Sequence, residues 1–455
     1  MQCAWYGDMR KDALIPARWK PGDVIGGRWR VFDTAAGPYG TVYTVFDAET
    51  GEVLAAKTFS DALLRWDRIL VHRLKKGALS WMKLGRHRNL VRPRFLHSVD
   101  GCLLLFMEYV CGTHLGQWIG PQGVTGGPVA VLRLALQLCD GLEFAESNGI
   151  GGHCDIRPEN CLVTGQGILK VTDPGLARAF DESLVAAAVD ARSGTRVRTR
   201  GDLIELVHGH GPEAVHSGVR AAAYLAPEQF SGSKHVDRRA DIYAFGVLLY
   251  QMIAGRLPFT ASTWADYEMA HRNLEPPALP PEQAPFSEVV QTCLAKEAPR
   301  RFTDFSALRR YLAQLYRTLA GRTFPPPVDG DELEAEDCDG QGLGLLQFGY
   351  PEEALAAFER ALDLNPDHAV LWAHKGEALR QLGQNEDALI CHQVSLELDS
   401  NCAAAWYHRG LALRALDRIG EAHESHERAI ELDPYVMAGM AGQPAGTSRT
   451  PVRNR

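Results

Sequence analysis

His153-Cys154-Asp155-Ile156-Arg157-Pro158-Glu159-Asn160, followed shortly by Asp173-Pro174-Gly175, is the stretch on which the reading of this chain turns. An Asp and an Asn five residues apart, with a second Asp-x-Gly just beyond, form a constellation suited to Mg²⁺ and nucleotide phosphates. Two substitutions stand out against such a pattern, Cys154 ahead of the first Asp and Pro174 after the second.

Further motifs lie to either side. Ala35-Ala36-Gly37-Pro38-Tyr39-Gly40-Thr41-Val42 sits between two strand-like runs and by itself reads as an ordinary hairpin turn. Leu54-Ala55-Ala56-Lys57 follows, then Met107-Glu108-Tyr109-Val110, Ala226-Pro227-Glu228, Asp241-Ile-Tyr-Ala-Phe-Gly246 and Arg301. Together these resemble the eukaryotic-type (bacterial Hanks-type) serine/threonine protein kinases, with their G-x-G-x-x-G-x-V, V-A-I-K, H-R-D-x-x-x-x-N, D-F-G and A-P-E motifs. The resemblance covers roughly residues 25–315. It implies an α+β bilobal fold that uses ATP and Mg²⁺ and transfers the γ-phosphoryl group to a Ser or Thr hydroxyl.

By that resemblance Asp155 orients the substrate hydroxyl and accepts its proton, while Asn160 and Asp173 hold Mg²⁺. Lys57 contacts the α- and β-phosphates, and Arg157 keeps a cation for the γ-phosphate. Gly37, Gly40 and Val42 belong to the phosphate loop, and Glu108 and Val110 to the hinge whose backbone reads the adenine. Glu228, Asp241 and Arg301 are scaffold residues, with Arg301 pairing Glu228.

Several positions depart from the family. Ala35 replaces the first loop glycine. The helix glutamate that holds the lysine falls on Gly77, and from Arg68 through Val99 there is neither Asp nor Glu. Cys154 removes the arginine that commonly clamps an activation-loop phosphate. Pro174 removes an aromatic ring and, as a proline, biases Asp173 towards an extended backbone. Arg220-Ala221 stands where Gly-Thr is usual. The long segment between Asp173 and Glu228, with Arg192-Ser-Gly-Thr-Arg-Val-Arg-Thr-Arg200, reads as a mobile insert. An alternative function follows from these losses: a pseudokinase scaffold that binds nucleotide weakly or not at all and presents the rest of the chain.

The rest of the chain is repetitive. Residues 335–368, 369–402 and 403–436 align at a period of 34. Gly342, Gly376 and Gly410 share one position, Ala354, Ala388 and Ala422 another, and Trp372 and Trp406 a third. Small residues at fixed offsets in paired amphipathic helices let neighbours nest. The pattern is similar to tetratricopeptide repeats, which implies an all-α solenoid binding a protein partner. His392 and His426 share a position usually held by a bulky side chain, so packing is expected of them.

The domain layout read from the sequence is therefore an N-terminal extension over 1–24 and a kinase domain over 25–320. Its small lobe spans about 25–107 and its large lobe about 111–320. A proline-rich linker occupies 321–334, three repeats occupy 335–436, and a disordered tail occupies 437–455. Residues 1–328 carry a net charge of about +5 and residues 329–436 about −16. That asymmetry suggests self-association of the acidic repeats with the basic run Arg68–Val99. The run has few aromatics, so a solvated helix face is preferred to a nucleic-acid site. No apolar run approaches the ~18–20 residues that span a bilayer. Met1 to Lys20 shows no charged-then-apolar leader, and the ten cysteines show neither a C-x-x-C pair nor zinc spacing. A cytoplasmic protein with reduced thiols is expected.

Overall fold

Between Trp29 and Lys57 short apolar runs are broken by glycine turns, and three strands form: β2 (Trp29–Ala36), β3 (Thr41–Asp47) and β4 (Glu52–Lys57). With β1 (Val24–Ile25), β5 (Pro93–Val99) and β6 (Cys102–Glu108) they make a six-stranded sheet of order β1-β2-β3-β4-β6-β5. The computed structural model describes residues 17–37, 39–67, 69–189, 199–200, 202–203, 222–231, 237–328 and 330–433. The chain divides near Val328 into two compact units.

In the first unit one face of the sheet buries Trp29, Tyr43, Leu54, Leu104 and Phe106. Trp19, from the stretch read as an N-terminal extension, stacks edge-on against Tyr43 at 5.4 Å and joins that core. Two helices follow β4: α1 (Asp61–Trp66), capped by Ser60, and α2 (Leu70–Met82). Helix α2 buries Leu70, Leu74, Ala78 and Trp81, a single stripe at helical spacing.

A helical lobe follows. Its first helix, α3 (Gly127–Ser147), feeds the loop of interest, and small strands β7 (Gly112–His114), β10 (Cys161–Thr164) and β11 (Leu169–Val171) line its upper edge. A two-residue hairpin of β8 (Ile119–Gly120) and β9 (Gly123–Val124) lies between them in sequence. Helix α4 (Ala177–Val189) comes directly after the Asp173 turn. Helix α5 (Arg239–Ala254) is buried all round, as its apolar composition requires, and ends on Gly255 at φ 69°. Helices α6 (Trp264–Asn273), α7 (Ser287–Cys293) and α8 (Phe305–Ala320) complete the lobe. This is the bilobal α+β arrangement expected. Among the described residues no helix is long and apolar enough to cross a membrane.

The second unit is all helix. Three pairs follow one another: α9 (Gly330–Gln347) with α10 (Pro351–Leu364), α11 (Ala369–Gln381) with α12 (Asn385–Leu398), and α13 (Ala403–Ala415) with α14 (Ile419–Leu432). Helix α9 begins at Gly330, inside the stretch 321–334 read as linker. The repeated glycines lie where helices cross: a Cβ at Gly342, Gly376 or Gly410 would run into Phe358, His392 or His426. The two histidines therefore pack, as expected. Equivalent bonds recur, with Trp372 Nε1 donating to the Pro366 carbonyl at 2.8 Å and Trp406 Nε1 to the Ser400 carbonyl at 2.9 Å. The expected tail, 437–455, lies outside the described residues.

Candidate active site

The β2–β3 hairpin carries Gly37 at its turn, where the Gly37 N–H donates to the Gly40 carbonyl at 2.7 Å; Pro38 lies outside the described residues. Gly40 packs so closely on the backbone after β4 that a Cβ would collide with the Thr58 carbonyl. Val42 is buried on β3. Lys57 ends β4, opposite Leu105 of β6, and points its amine towards the large lobe.

Asp241, near the start of α5, organises the loop below. Its carboxylate accepts the His153 N–H at 2.6 Å and the Cys154 N–H at 2.8 Å. These bonds hold Cys154 in the left-handed region at φ 67°, a strain that a fixed acceptor can support. Burial pushes the Asp241 carboxyl upward, against the pull of His153 and the two N–H donors. The His153 ring bonds the Thr172 carbonyl at 2.9 Å, tying the loop to the residue before Asp173.

Residues Pro158–Asn160 form a short 3₁₀ turn that brings Asn160 back to Asp155. Asn160 Nδ2 donates to Asp155 Oδ2 at 2.9 Å and to the Asp155 carbonyl at 2.8 Å. The Thr172 N–H donates to the Asn160 carbonyl at 3.0 Å, so Asn160 and Asp173 lie on adjoining strands of backbone. Arg157 is buried, 3.7 Å from both Asp155 and Glu159. Burial opposes the charge on Asp155, but Arg157, Arg200, His153 and the Asn160 bond outweigh it and hold the carboxyl below its usual range.

Lys57 and Asp173 form an ion pair, with both side chains largely buried. Asp173 has φ 63°, so the extended backbone expected ahead of Pro174 is not adopted. The turn explains the difference, because the Leu176 N–H donates to the Asp173 carbonyl at 3.2 Å. Pro174 faces the large lobe, lining a small cavity with Leu142, Ile150 and Phe305. Gly77 of α2 comes against this same turn: a Cβ there would sit 3.3 Å from Leu176 Cδ2 and 3.7 Å from the Gly175 carbonyl. The position expected to carry a glutamate thus faces the Asp173 turn, and Asp173 itself takes the lysine.

Glu108 closes β6 and joins the lobes. Its carboxylate accepts the Arg92 N–H at 2.9 Å and Lys170 Nζ at 3.0 Å, with Lys170 on β11. Val110 is buried just beyond it. The scaffold pair forms as expected: Arg301 grips Glu228 through two bonds of 2.7 and 2.9 Å and also donates to the carbonyls of Arg239, Ala295 and Lys296.

The segment read as a mobile insert is partly ordered against the site. Residues 177–189 are helical, and Arg200 is buried. Arg200 donates to Asp181 through two bonds of 2.7 and 2.6 Å, and to the Cys154 carbonyl at 2.8 Å. It also lies 3.6 Å from Asp155 Oδ1. Residues 190–198 and 204–221, including Arg220 and Ala221, lie outside the described residues. Sequence reasoning missed Arg200, Asp181 and Phe180. The signal for α4 was present in Ala177–Val189, where good helix formers carry Phe180 and Leu184 at a spacing of one turn.

The chemistry of the donor set fits a magnesium nucleotide. Among the described residues no three His, Cys, Asp or Glu gather into a closed metal cage. One carboxylate and one amide oxygen, if supplied by Asp173 and Asn160, would leave the remaining positions to water and phosphate, which is how Mg²⁺ is commonly held.

The protein kinase domain pattern matches residues 35–313, and tetratricopeptide repeat patterns match 340–390 and 403–435. The chain is 31% identical over 303 residues to the serine/threonine-protein kinase Pkn1 of Myxococcus xanthus, a match covering 64% of this chain and 39% of that protein. It is 27% identical over 290 residues to a probable serine/threonine-protein kinase of Clostridium acetobutylicum, covering 62% and 39% respectively. A crystal structure of the Mycobacterium tuberculosis PknI kinase domain is similar at 21% identity and a TM-score of 0.47, covering 67% of this chain and all of that one. The chain spans about two-fifths of the length of these two curated relatives, at 39% each. Kinase motifs gathered at one cleft and a domain match over more than half the sequence lead to one conclusion: the chain belongs to the protein kinase family and carries tetratricopeptide repeats after its kinase domain.

Proposed function

We propose that the chain is an ATP-dependent serine/threonine protein kinase whose repeats recruit a protein substrate or partner. The observation that carries this reading is the convergence of Asp155, Asn160, Asp173 and Lys57 on one site, joined by the Asn160–Asp155 bonds and the Lys57–Asp173 pair. Bound Mg²⁺ neutralises charge on the phosphates during transfer. Asn160 and Asp173 would hold it, with Lys57 moving from Asp173 to the nucleotide phosphates. Gly37, Gly40 and Val42 would cover those phosphates, and the backbone at Glu108 and Val110 would meet the adenine. Asp155 orients the hydroxyl of a Ser or Thr and takes its proton, while Arg157 offsets charge beside it. The low carboxyl of Asp155 suits orientation more than strong basicity, as expected where positioning supplies most of the rate.

The test is phosphotransfer from labelled ATP and Mg²⁺ by the full chain beside an Asp155→Asn control. Transfer that is lost in the control supports the kinase. One observation favours a second reading: Gly77 supplies no carboxylate to Lys57, and Asp173 is engaged instead. A pseudokinase scaffold predicts thermal stabilisation by Mg-ATP, or none, without transfer in either protein.

The repeats offer an acidic surface, and the partner class proposed is a protein. Self-association with the basic run Arg68–Val99 is a narrower proposal. Such an association should weaken steeply with salt.

A further inference from the structure

Residues 34 apart occupy equivalent places in the repeats, so a change of residue type between one helix pair and the next stands out. A groove of about 410 Å³ opens beside α12. Leu389, Ile390 and Val394 of α12 form an apolar wall along it, and Arg409 and Leu413 of α13 lie beneath. Arg418, which precedes α14, also lines it. Ile390 is 62% exposed, more than any other large apolar side chain among the described residues.

The same positions one repeat earlier are filled differently. Ala356, Glu359 and Arg360 of α10 stand where Ile390, Gln393 and Val394 stand on α12. Lys375, the counterpart of Arg409, is neutralised there, its Nζ lying 3.1 Å from Glu359. Gln393 offers Arg409 no such carboxylate, and among the described residues Arg409 makes no ion pair. It donates to Ser425 Oγ at 2.7 Å and lies over the Trp406 ring. Arg418 takes the place of Gln384, and its fork to Glu421 is an exposed pair, of a kind that contributes little and is easily exchanged. Glu397, the lining carboxylate, already accepts a bond from Gln393 at 3.0 Å. In a unit carrying about −16, two guanidiniums beside an apolar wall are a local reversal of charge.

We propose that this groove binds a short peptide segment of a partner protein, one that carries adjacent aliphatic side chains and a nearby Asp or Glu. The aliphatic groups would cover Ile390, Leu389 and Val394, and the carboxylate would meet Arg409 and Arg418. The inference rests on the reading that the repeats recruit a protein, and it names the chemistry of that partner. Two effects carry it. Covering an exposed isoleucine removes apolar surface from water, and a planar guanidinium grips a carboxylate through paired bonds. The groove is open to solvent, so a peptide backbone can remain hydrated while its side chains are covered.

The test selects a random peptide library, displayed on phage, against the full chain, and titrates the selected peptides by fluorescence anisotropy. One variant combines Ile390→Ala, Gln393→Glu and Val394→Arg, which installs the residues that the preceding repeat already carries. Arg418→Gln changes a half-exposed side chain and serves if the combined variant fails to fold. The expected peptides are rich in neighbouring Leu, Ile or Val with an acid close by. Their affinity should fall about tenfold or more in the combined variant, and severalfold in Arg418→Gln or between about 0.05 and 0.5 M salt. No enriched peptide, or peptides that bind every folded variant as they bind the parent, would overturn the groove. Peptides of the second kind keep the recruitment reading and place it on another face of the repeats. Fusing a groove-binding peptide to a serine-containing substrate separates the claims the other way. Phosphotransfer no faster than to the unfused substrate keeps the groove and sinks recruitment.

Discussion

Replacing Gly77 tests the most consequential departure in the site. Glycine in a helix interior costs about 1 kcal/mol relative to alanine, so Gly77→Ala should gain most of that within α2. The new Cβ would meet Leu176 Cδ2 at 3.3 Å, the free end of a flexible side chain, which returns a few tenths of a kcal/mol. The net expectation is a gain of about 0.5–1 kcal/mol, or roughly 1–4 °C in Tm for a domain of this size. Gly77→Glu adds a carboxylate on the face of α2 that meets the Asp173 turn, within the neighbourhood of Lys57. It should compete with Asp173 for that lysine and release Asp173 for Mg²⁺. A shift of about 1.4 kcal/mol in that competition corresponds to a tenfold fall in the Mg²⁺ concentration for half-maximal phosphotransfer. The assay is thermal unfolding of the parent and both variants, followed by Mg²⁺ titration of transfer. If Gly77→Glu unfolds like Gly77→Ala and neither the rate nor the Mg²⁺ requirement moves, the missing ion pair is not what limits the site. If Gly77→Ala loses more than about 1 kcal/mol, the contact with Leu176 is rigid and the packing argument fails.

Arg301→Ala should cost about 3–5 kcal/mol, since it strands the Glu228 carboxylate and three carbonyls, and urea unfolding will read this as a lower midpoint. Gly376→Ala should destabilise the repeats by about 1–3 kcal/mol by pressing on the His392 ring, and His392→Ala in the same chain should recover much of that, a coupling that a double-mutant cycle measures. His392 is also pH-sensitive: burial, with His408, Arg380 and Arg409 nearby and Glu377 opposing them, lowers it from 6.5 to about 3. Its neutral form is the folded one, so its contribution is complete above the unfolded pKa and is lost as pH falls towards 3. At pH 5 the loss is about 2 kcal/mol. His392→Phe should flatten the acid limb of the repeat unit's unfolding profile between pH 6.5 and 4, and an unchanged slope would exclude His392 as its source.

What the sequence disclosed were features whose geometry demands fixed spacing. Asp155 and Asn160 meet because a 3₁₀ turn at Pro158 folds five residues back on themselves, and that spacing is visible in any reading. Gly342 was legible for the same reason, since its repeat position marks a close helix crossing, and Phe358 fills the room it leaves. Arg200 was not, because its partners Cys154 and Asp181 come to it only after α4 has docked, 46 residues from Cys154 along the chain. Asp173 misled for a different reason. The residue before a proline prefers an extended backbone, but the Leu176 turn and the Lys57 pair together outweigh that local bias.

The departures from the kinase pattern look like separate losses in the sequence, yet the structure pairs two of them, Gly77 and Cys154, with a replacement. Gly77 removes a carboxylate from α2, and the lysine that would have used it takes Asp173. Cys154 removes a cation from the catalytic loop, and Arg200 places its guanidinium on the Cys154 carbonyl. The charge balance around Asp155 and Lys57 is thus kept, while the residues that keep it have moved from fixed parts of the fold to the Asp173 turn and the segment beyond it. On the proposed phosphotransfer reading, both replacements also occupy groups that nucleotide or substrate would need: the Asp173 carboxylate in one case, the approach to Asp155 in the other. A site wired in this way is stable when closed, and it can work only if binding Mg-ATP returns more free energy than these two pairings release. Gly77→Glu and Asp181→Asn act on the two pairings separately. They share no partner, so their effects on nucleotide affinity should add. Strong non-additivity between them would mean that the Asp173 turn and α4 move as one body.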